Sequence, residues 1–149
     1  MYTTQFCTQT DASLIEDIAA LESICFSEPW SGNALTDFLS YPHNFALVTA
    51  ADDGHAAAYV TFCISDTVLE IANICTSPDH RRKGLAEGLM ERLRIKAKES
   101  GCDSIYLEVR ESNASARAFY EKAGFITLSR VNRLFSHPSE AGFRMSLPL

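Results

Sequence analysis

The densest group of chemistry-bearing residues is Arg81-Arg82-Lys83-Gly84-Leu85-Ala86. It stands where an extended apolar run gives way to a helical period, so its backbone N–H groups fall at a helix N-terminus. Free N–H groups and the helix macrodipole both present positive character there. Gly84 has no Cβ and lets a phosphate approach the main chain. Cations at a helix start oppose the dipole unless an anion joins them, so the pattern suits a diphosphate. The plainer alternative is a solvated basic loop with an ordinary glycine. The spacing matches neither a P-loop nor a GxGxxG fingerprint, which disfavours the ligands of those motifs.

Three further residues have side chains fit for acid–base or polar work. Glu108 lies in the alternating run Ser104 to Arg110, on the face opposite Ile105, Leu107 and Val109. It is either a surface carboxylate paired with Arg110 or Arg94, or a partly desolvated base. Asn113 and Tyr120 are seven apart and share one helix face, with Ala116 and Arg117 between. The phenol either packs its ring in the core or donates a proton. Cys75 is a nucleophile only in principle, because no histidine or basic partner is evident for it.

The elements that must hold these residues follow from period and punctuation. Residues 11–25 form an amphipathic helix with Leu14, Ile15, Ile18, Leu21, Ile24 and Cys25 inward. Glu28-Pro29-Trp30-Ser31 interrupts it, and Ser31 caps a second short helix to about Leu39. Strands are expected over Phe45–Ala50 and Ala56–Ile64, around the turn Asp52-Asp53-Gly54, and over Thr67–Thr76, ended by Pro78. A helix over Gly84–Ser100 buries Leu85, Leu89, Leu93 and Ala97 and stops at Gly101. Strand Ser104–Arg110 and a helix from about Asn113 to Ala123 follow, then a hairpin of Phe125–Phe135 and Gly142–Leu147. The order α-α-β-β-β-α-β-α-β-β is mixed α/β, with a parallel pair implied by the strand–helix–strand unit over 67–110.

Composition sets outer limits. The 149 residues are expected to form one domain, 1–149, with a single core. Residues 1–80 hold 11 acids and no Lys or Arg, whereas 81–149 hold all 13 cations and 8 acids, giving the net charge of −6. That balance argues against direct nucleic-acid binding, which rests on neutralising phosphates. No apolar stretch approaches a membrane span, and Met1 to Thr10 lacks the regions of a secretory signal. Cys7, Cys25, Cys63, Cys75 and Cys102 show no CxxC, and His43, His55, His80 and His137 pair with none of them at zinc-like spacing, so no metal site is expected. The cysteines read as small buried hydrophobes in a reducing compartment, which makes a cytoplasmic, intracellular protein the expectation.

The six-residue group resembles the Q/R-x-x-G-x-G/A motif of the GCN5-related N-acetyltransferases (the GNAT family), with Ala86 in the place of the second glycine. The likeness covers nearly the whole chain in order and spacing. Glu28-Pro29-Trp30-Ser31 resembles the first interhelical loop of the ribosomal-protein alanine N-acetyltransferases, the RimI type. Glu70 through Pro78 resembles their strand before the pyrophosphate loop. Leu107-Glu108-Val109-Arg110, Ser112-Asn113-Ala114 and Phe119-Tyr120-Glu121-Lys122-Ala123-Gly124-Phe125 resemble their LEVR, SNxxA and YxxxGF segments. The segment Arg130 to Pro138 departs from the type, which carries a tyrosine-rich stretch there; this chain has none.

The resemblance implies a GNAT fold: a central, mostly antiparallel sheet with a splayed parallel strand pair and flanking helices. It implies acetyl-CoA as cosubstrate. Ile74, Cys75 and Thr76 would bind its pantetheine and acetyl part through backbone groups. Arg81, Arg82, Lys83, Gly84, Leu85 and Ala86 would hold the pyrophosphate, and Asn113 would contact the pantetheine arm. Glu108 would be general base and Tyr120 general acid. Acyl transfer also needs a fixed N–H for the oxyanion, which a bulge near Cys75 or Thr76 would supply. Trp30 is either core filler or a wall of the acceptor site, and His137 in the final loop is placed to line that site.

The expected reaction is acetylation of the N-terminal alanine α-amine of a protein, a group that titrates near neutrality, at about 7.7–8.0. A basic peptide would suit the cation-free first half. Acetylation of a small-molecule amine is the alternative within enzymes, and a CoA-binding regulatory module without turnover is the alternative outside them. Expected partners are thus an acceptor protein N-terminus or a small amine, with no nucleic acid and no membrane, in a monomer or weak dimer.

Overall fold

The computed structural model describes residues 1–149. Seven strands form one sheet in the order β1-β2-β3-β4-β5-β7-β6. They are β1 (Thr3–Cys7), β2 (Asn44–Ala50), β3 (Ala56–Ser65), β4 (Val68–Thr76), β5 (Ser104–Arg110), β6 (Ile126–Ser136) and β7 (Ser139–Pro148). The helices are α1 (Ala12–Cys25), α2 (Gly32–Leu39), α3 (Leu85–Glu99) and α4 (Ala114–Lys122), with a short 3-10 turn over Pro78–His80. The expected mixed α/β fold with a mostly antiparallel sheet is present. Its parallel pair is β4 and β5, in register from Val68↔Ser104 to Glu70↔Tyr106.

The chain divides into two compact units, Met1–Cys63 with Ala72–Leu93, and Ile64–Ile71 with Arg94–Leu149. The core of the first is built from Ile15, Ile18, Leu21, Leu35, Ala46, Val48 and Tyr59. Ser31 caps α2 as its type predicts, its hydroxyl accepting from the Ala34 N–H at 3.1 Å. The Asp52–Gly54 turn closes the β2–β3 hairpin, with Gly54 at φ +84°. In the second unit Ile105, Leu107 and Val109 of β5 are buried, with Met145 and Leu147 of β7. Gly142 of β7 has to be glycine, because an added Cβ would lie 2.5 Å from the Phe135 ring and 2.7 Å from the Val109 carbonyl oxygen.

Three expectations need correction. A strand not read from the sequence, β1, pairs antiparallel with β2 from Thr3↔Ala50 to Cys7↔Ala46. On α1 Ile24 is 63% exposed, and Glu22 is fully buried instead. The cysteines are not all lone hydrophobes: Cys25 and Cys75 form a disulfide across 50 residues of sequence, while Cys7, Cys63 and Cys102 are free. That bond also removes Cys75 as a nucleophile. No helix is long and apolar enough to cross a membrane.

Candidate active site

The first unit holds the cationic turn that precedes α3. Arg82 and Gly84 both take positive φ, +63° and +74°, so the chain reverses twice before α3 begins. A Cβ on Gly84 would meet nothing nearer than Glu87 Oε2 at 3.7 Å; the conformation, not crowding, asks for glycine. The first intrahelical bond runs from the Gly88 N–H to the Gly84 carbonyl, which leaves the amides of residues 85–87 without helical acceptors. Arg81, Arg82 and Lys83 are exposed and make no ion pair or side-chain hydrogen bond. Three unpaired cations beside free amides are the groups that an anion such as a diphosphate would need.

Strand β4 reaches this turn through Ile74 and Thr76, both half-buried, and Cys75, which faces the core and is bonded to Cys25. The Ser77 N–H donates to the Ala57 carbonyl at 2.7 Å, and His80 Nδ1 meets the Tyr2 hydroxyl at 2.9 Å, which gives His80 a turn-closing role. Trp30 is half-buried against the core, its ring 5.1 Å from that of Phe38. It also lines an open groove of about 300 Å³ with Ala34, Asp37, Phe38, Tyr41 and Asn44. The tryptophan packs with one face and borders a groove with the rest.

The second unit holds the acid–base groups. Glu108 projects from the solvent face of β5, as alternation predicts. Its partners are neither Arg110 nor Arg94. The Tyr106 hydroxyl donates to Oε2 at 2.9 Å, and Arg144 Nε lies 3.5 Å from the same oxygen. Arg144 is the direct cross-strand neighbour of Glu108 in the β5–β7 register, so the pair follows from the ladder. Arg110 is held by Glu140 and by the carbonyls of His137 and Pro138, and Arg94 donates to the Ala123 carbonyl.

Two residues missed in the sequence belong to this cluster. Glu70 of β4 pairs in register with Tyr106, and burial, followed by the Glu108 charge, pushes its carboxyl above the usual carboxylate range. Tyr106 is pushed up to about 12, first by burial and then by its bond to Glu108. The signal was available: Leu69 and Ile71 point inward, so Glu70 takes the outer face, and the parallel strand–helix–strand unit puts it on the same side as Glu108.

Tyr120 of α4 is buried, with its ring 5.6 Å from Phe119 and 5.5 Å from Phe125, and burial raises its phenol to about 12. Asn113 caps α4, its Oδ1 accepting from the Ala116 N–H at 3.2 Å, while its Nδ2 donors are committed to no protein acceptor. His137 sits in the β6–β7 turn and contacts the Ser136 hydroxyl at 3.0 Å. No group of His, Cys, Asp or Glu is arranged to hold a metal ion.

The arrangement can bind an anion at one set of groups and move protons at another. The profile of the Acetyltransferase (GNAT) family matches residues 15–125. The ribosomal protein bS18-alanine N-acetyltransferase of Escherichia coli (strain K12) is 33% identical over 135 residues, covering 87% of each chain. The crystal structure of the ribosomal-protein-S18-alanine N-acetyltransferase from Escherichia coli matches with a TM-score of 0.87 and 26% identity, over 99% of this chain and 94% of that one. The NatC complex bound to Gag peptide and CoA has the same fold, with a TM-score of 0.87 at 20% identity, over 99% and 98% of the two chains. With a family match over most of its length and a relative one-third identical, the chain belongs to the GNAT family and is an acetyl-CoA-dependent N-acetyltransferase.

Proposed function

We propose that the protein acetylates the N-terminal alanine α-amine of a ribosomal protein in the cytoplasm, its 149 residues working as one domain. The observation that carries this reading is Glu108, a carboxylate on the open face of β5, oriented by the Tyr106 hydroxyl and the Arg144 guanidinium. The identity with the alanine N-acetyltransferase relative supports the choice of acceptor. The cation-free first 80 residues favour a basic peptide over a neutral amine.

In this reading Arg81 to Ala86 anchor the pyrophosphate, backbone groups of Ile74, Cys75 and Thr76 align the pantetheine and thioester, and Asn113 donates to the pantetheine arm. Glu108 takes the proton of the acceptor ammonium, directly or through one water. The freed amine nitrogen attacks the thioester carbonyl; the N–C bond forms and the C–S bond breaks. An N–H near Cys75 or Thr76 faces the developing oxyanion. Tyr120 supplies the sulfur's proton, and the second proton, shed by the new amide nitrogen, returns to the phenolate through solvent. A phenol at about 12 lies roughly 3.5 above an ordinary thiol, an uphill gap of ~5 kcal/mol. Tyr120 therefore hydrogen-bonds the sulfur first and hands over its proton only as the C–S bond breaks.

The test is turnover with acetyl-CoA on a panel of peptides and small amines. An Ala-initiated basic peptide is expected to outrun the same peptide with a blocked α-amine or a different first residue. Turnover confined to small amines would transfer the assignment to that class, and acetyl-CoA binding without turnover would make the protein a regulatory module.

A further inference from the structure

Glu22 is a fully buried carboxylate on α1 that the chemistry above does not use. Its neighbours along the inward face are Ile15, Ile18 and Leu21, so an apolar residue would pack there without the desolvation that a carboxylate suffers. No cation faces it. Its partners are neutral and come from three places in the first unit. The Asn73 side chain of β4 donates to Oε1 at 2.8 Å. The Trp30 main chain, in the α1–α2 loop, and the Tyr59 phenol of β3 each act on the same carboxyl. Yet neither Oε2 nor the Tyr59 hydroxyl completes a well-formed bond.

Asn73 is itself tied down, since its main-chain N–H and carbonyl both bond the Thr61 hydroxyl, at 3.2 and 3.5 Å. It immediately precedes Ile74–Thr76. Trp30 lines the groove beside α2. Two residues further along β4 on the same face, Cys75 is bonded to Cys25, three residues further along α1. The end of α1 is thus joined to β4 by two rungs. A carboxylate accepts from several donors at once, a capacity no apolar side chain has.

We infer that Glu22 is a positioning residue for acyl transfer: one buried carboxylate on α1 that fixes the strand at Asn73. It holds the backbone of Ile74–Thr76 where the thioester docks. This inference rests on the cofactor role proposed for those three residues, not on the identity of the acceptor.

The deciding variant is Glu22→Met, which fills the space, ends the desolvation and severs the link to Asn73. Buried polar sites replaced this way often keep or gain stability. With Tm equal to or above that of the wild type, kcat on the acceptor is expected to fall at least tenfold and the acetyl-CoA Kd, by calorimetry, to weaken at least threefold. Glu22→Gln, which keeps one acceptor oxygen, is expected to recover part of kcat. Asn73→Leu in the Glu22→Met background is expected to add little, since the link is already cut. A kcat and Kd both within twofold of wild type in Glu22→Met overturns the inference. So does a loss that only tracks a lower Tm. If Glu22→Met does not fold, the same thresholds apply to Glu22→Gln and Asn73→Ala. If the wild type acetylates no peptide, the acceptor reading fails by itself, and the acetyl-CoA Kd alone decides: weakening supports the role of Glu22, and an unchanged value ends it.

Discussion

The two units hold their charges in opposite ways. The first carries 11 acids and four cations, Arg81, Arg82, Lys83 and Arg92, and the three cations before α3 pair with nothing. The second carries eight acids and nine cations, and three of its arginines are engaged: Arg110 with Glu140, Arg130 with Glu111 and Arg144 with Glu108. Unpaired cations in an acidic unit invite an anion from outside. Paired cations in a balanced unit aim carboxylates. The first unit gains cohesion from a disulfide and a neutral buried network around Glu22, the second from ion pairs, one of them aligned by the β5–β7 ladder, and a tightly packed hairpin. Binding and proton transfer therefore make separable demands, and substitutions should separate them.

The largest separation is expected from Glu108→Gln. It keeps the shape and the Tyr106 contact but removes the base, so kcat should fall on the order of 10³-fold with the acetyl-CoA KM unchanged. Steady-state kinetics with both substrates varied checks this. If Glu70→Gln shows that loss and Glu108→Gln does not, the base belongs to the β4 carboxylate and the assignment within the cluster moves by one strand. The next effect is on stability. Reducing the Cys25–Cys75 bond should cost the first unit up to about 4 kcal/mol, the order expected for closing a loop of this length. Urea midpoints with and without a dithiol should differ in the wild type and coincide in Cys25→Ser; equal midpoints in the wild type would remove the cross-link from the comparison.

What could be read in advance was whatever depends on local period. The inward face of α3, the alternation of β5 and the caps at Ser31 and Asn113 each follow from neighbours within a few residues. What could not be read depends on partners remote in sequence. Thr3–Cys7 has only one buried residue, Cys7, and is a strand because β2 offers it an edge. Glu22 occupies a buried position that a helical period assigns to an apolar residue, and its hydrogen bond comes from Asn73, 51 positions away. The partner of Glu108 is set by the β5–β7 register, so Arg144, not the nearer arginines in sequence, orients it. The proposed cofactor half of the site is legible because a phosphate would be met by main chain and consecutive residues. The acid–base half was legible only as a list of residue types, because its geometry is assembled by strand pairing.

A middle-sized effect tests the unpaired cations. Replacing Arg81, Arg82 and Lys83 together by alanine should raise the acetyl-CoA KM about tenfold with kcat within twofold, each exposed charge contributing about 0.5 kcal/mol. The wild-type KM should also rise with added salt and the variant's should not. A triple variant with an unchanged KM would mean that the amides of α3 hold the anion without help.

The smallest effect is a matter of pH and comes from Glu70. Burial, with the Glu108 charge behind it, raises its carboxyl pKa in the folded protein. A folded protein that holds a proton more tightly than the unfolded chain has that part of its stability in full below the unfolded value, about 4.3, and loses it as pH rises through the folded value. Above that window the wild type carries an ionised, partly desolvated carboxylate beside a second one. Glu70→Gln cannot ionise. Its urea midpoint should therefore match that of the wild type near pH 4, exceed it at pH 7.5, and show a gap that stops growing once Glu70 is fully ionised. Placing the substitution in a Glu108→Gln background should shrink the gap, since part of the penalty is repulsion between the two carboxylates, while the part due to burial persists. A variant less stable than wild type at pH 7.5 would mean that the ionised Glu70 is net favourable where it stands. The cluster would then be held together by its charges, and the contrast between an aimed pair in the second unit and free cations in the first would have to be redrawn around two stabilised carboxylates.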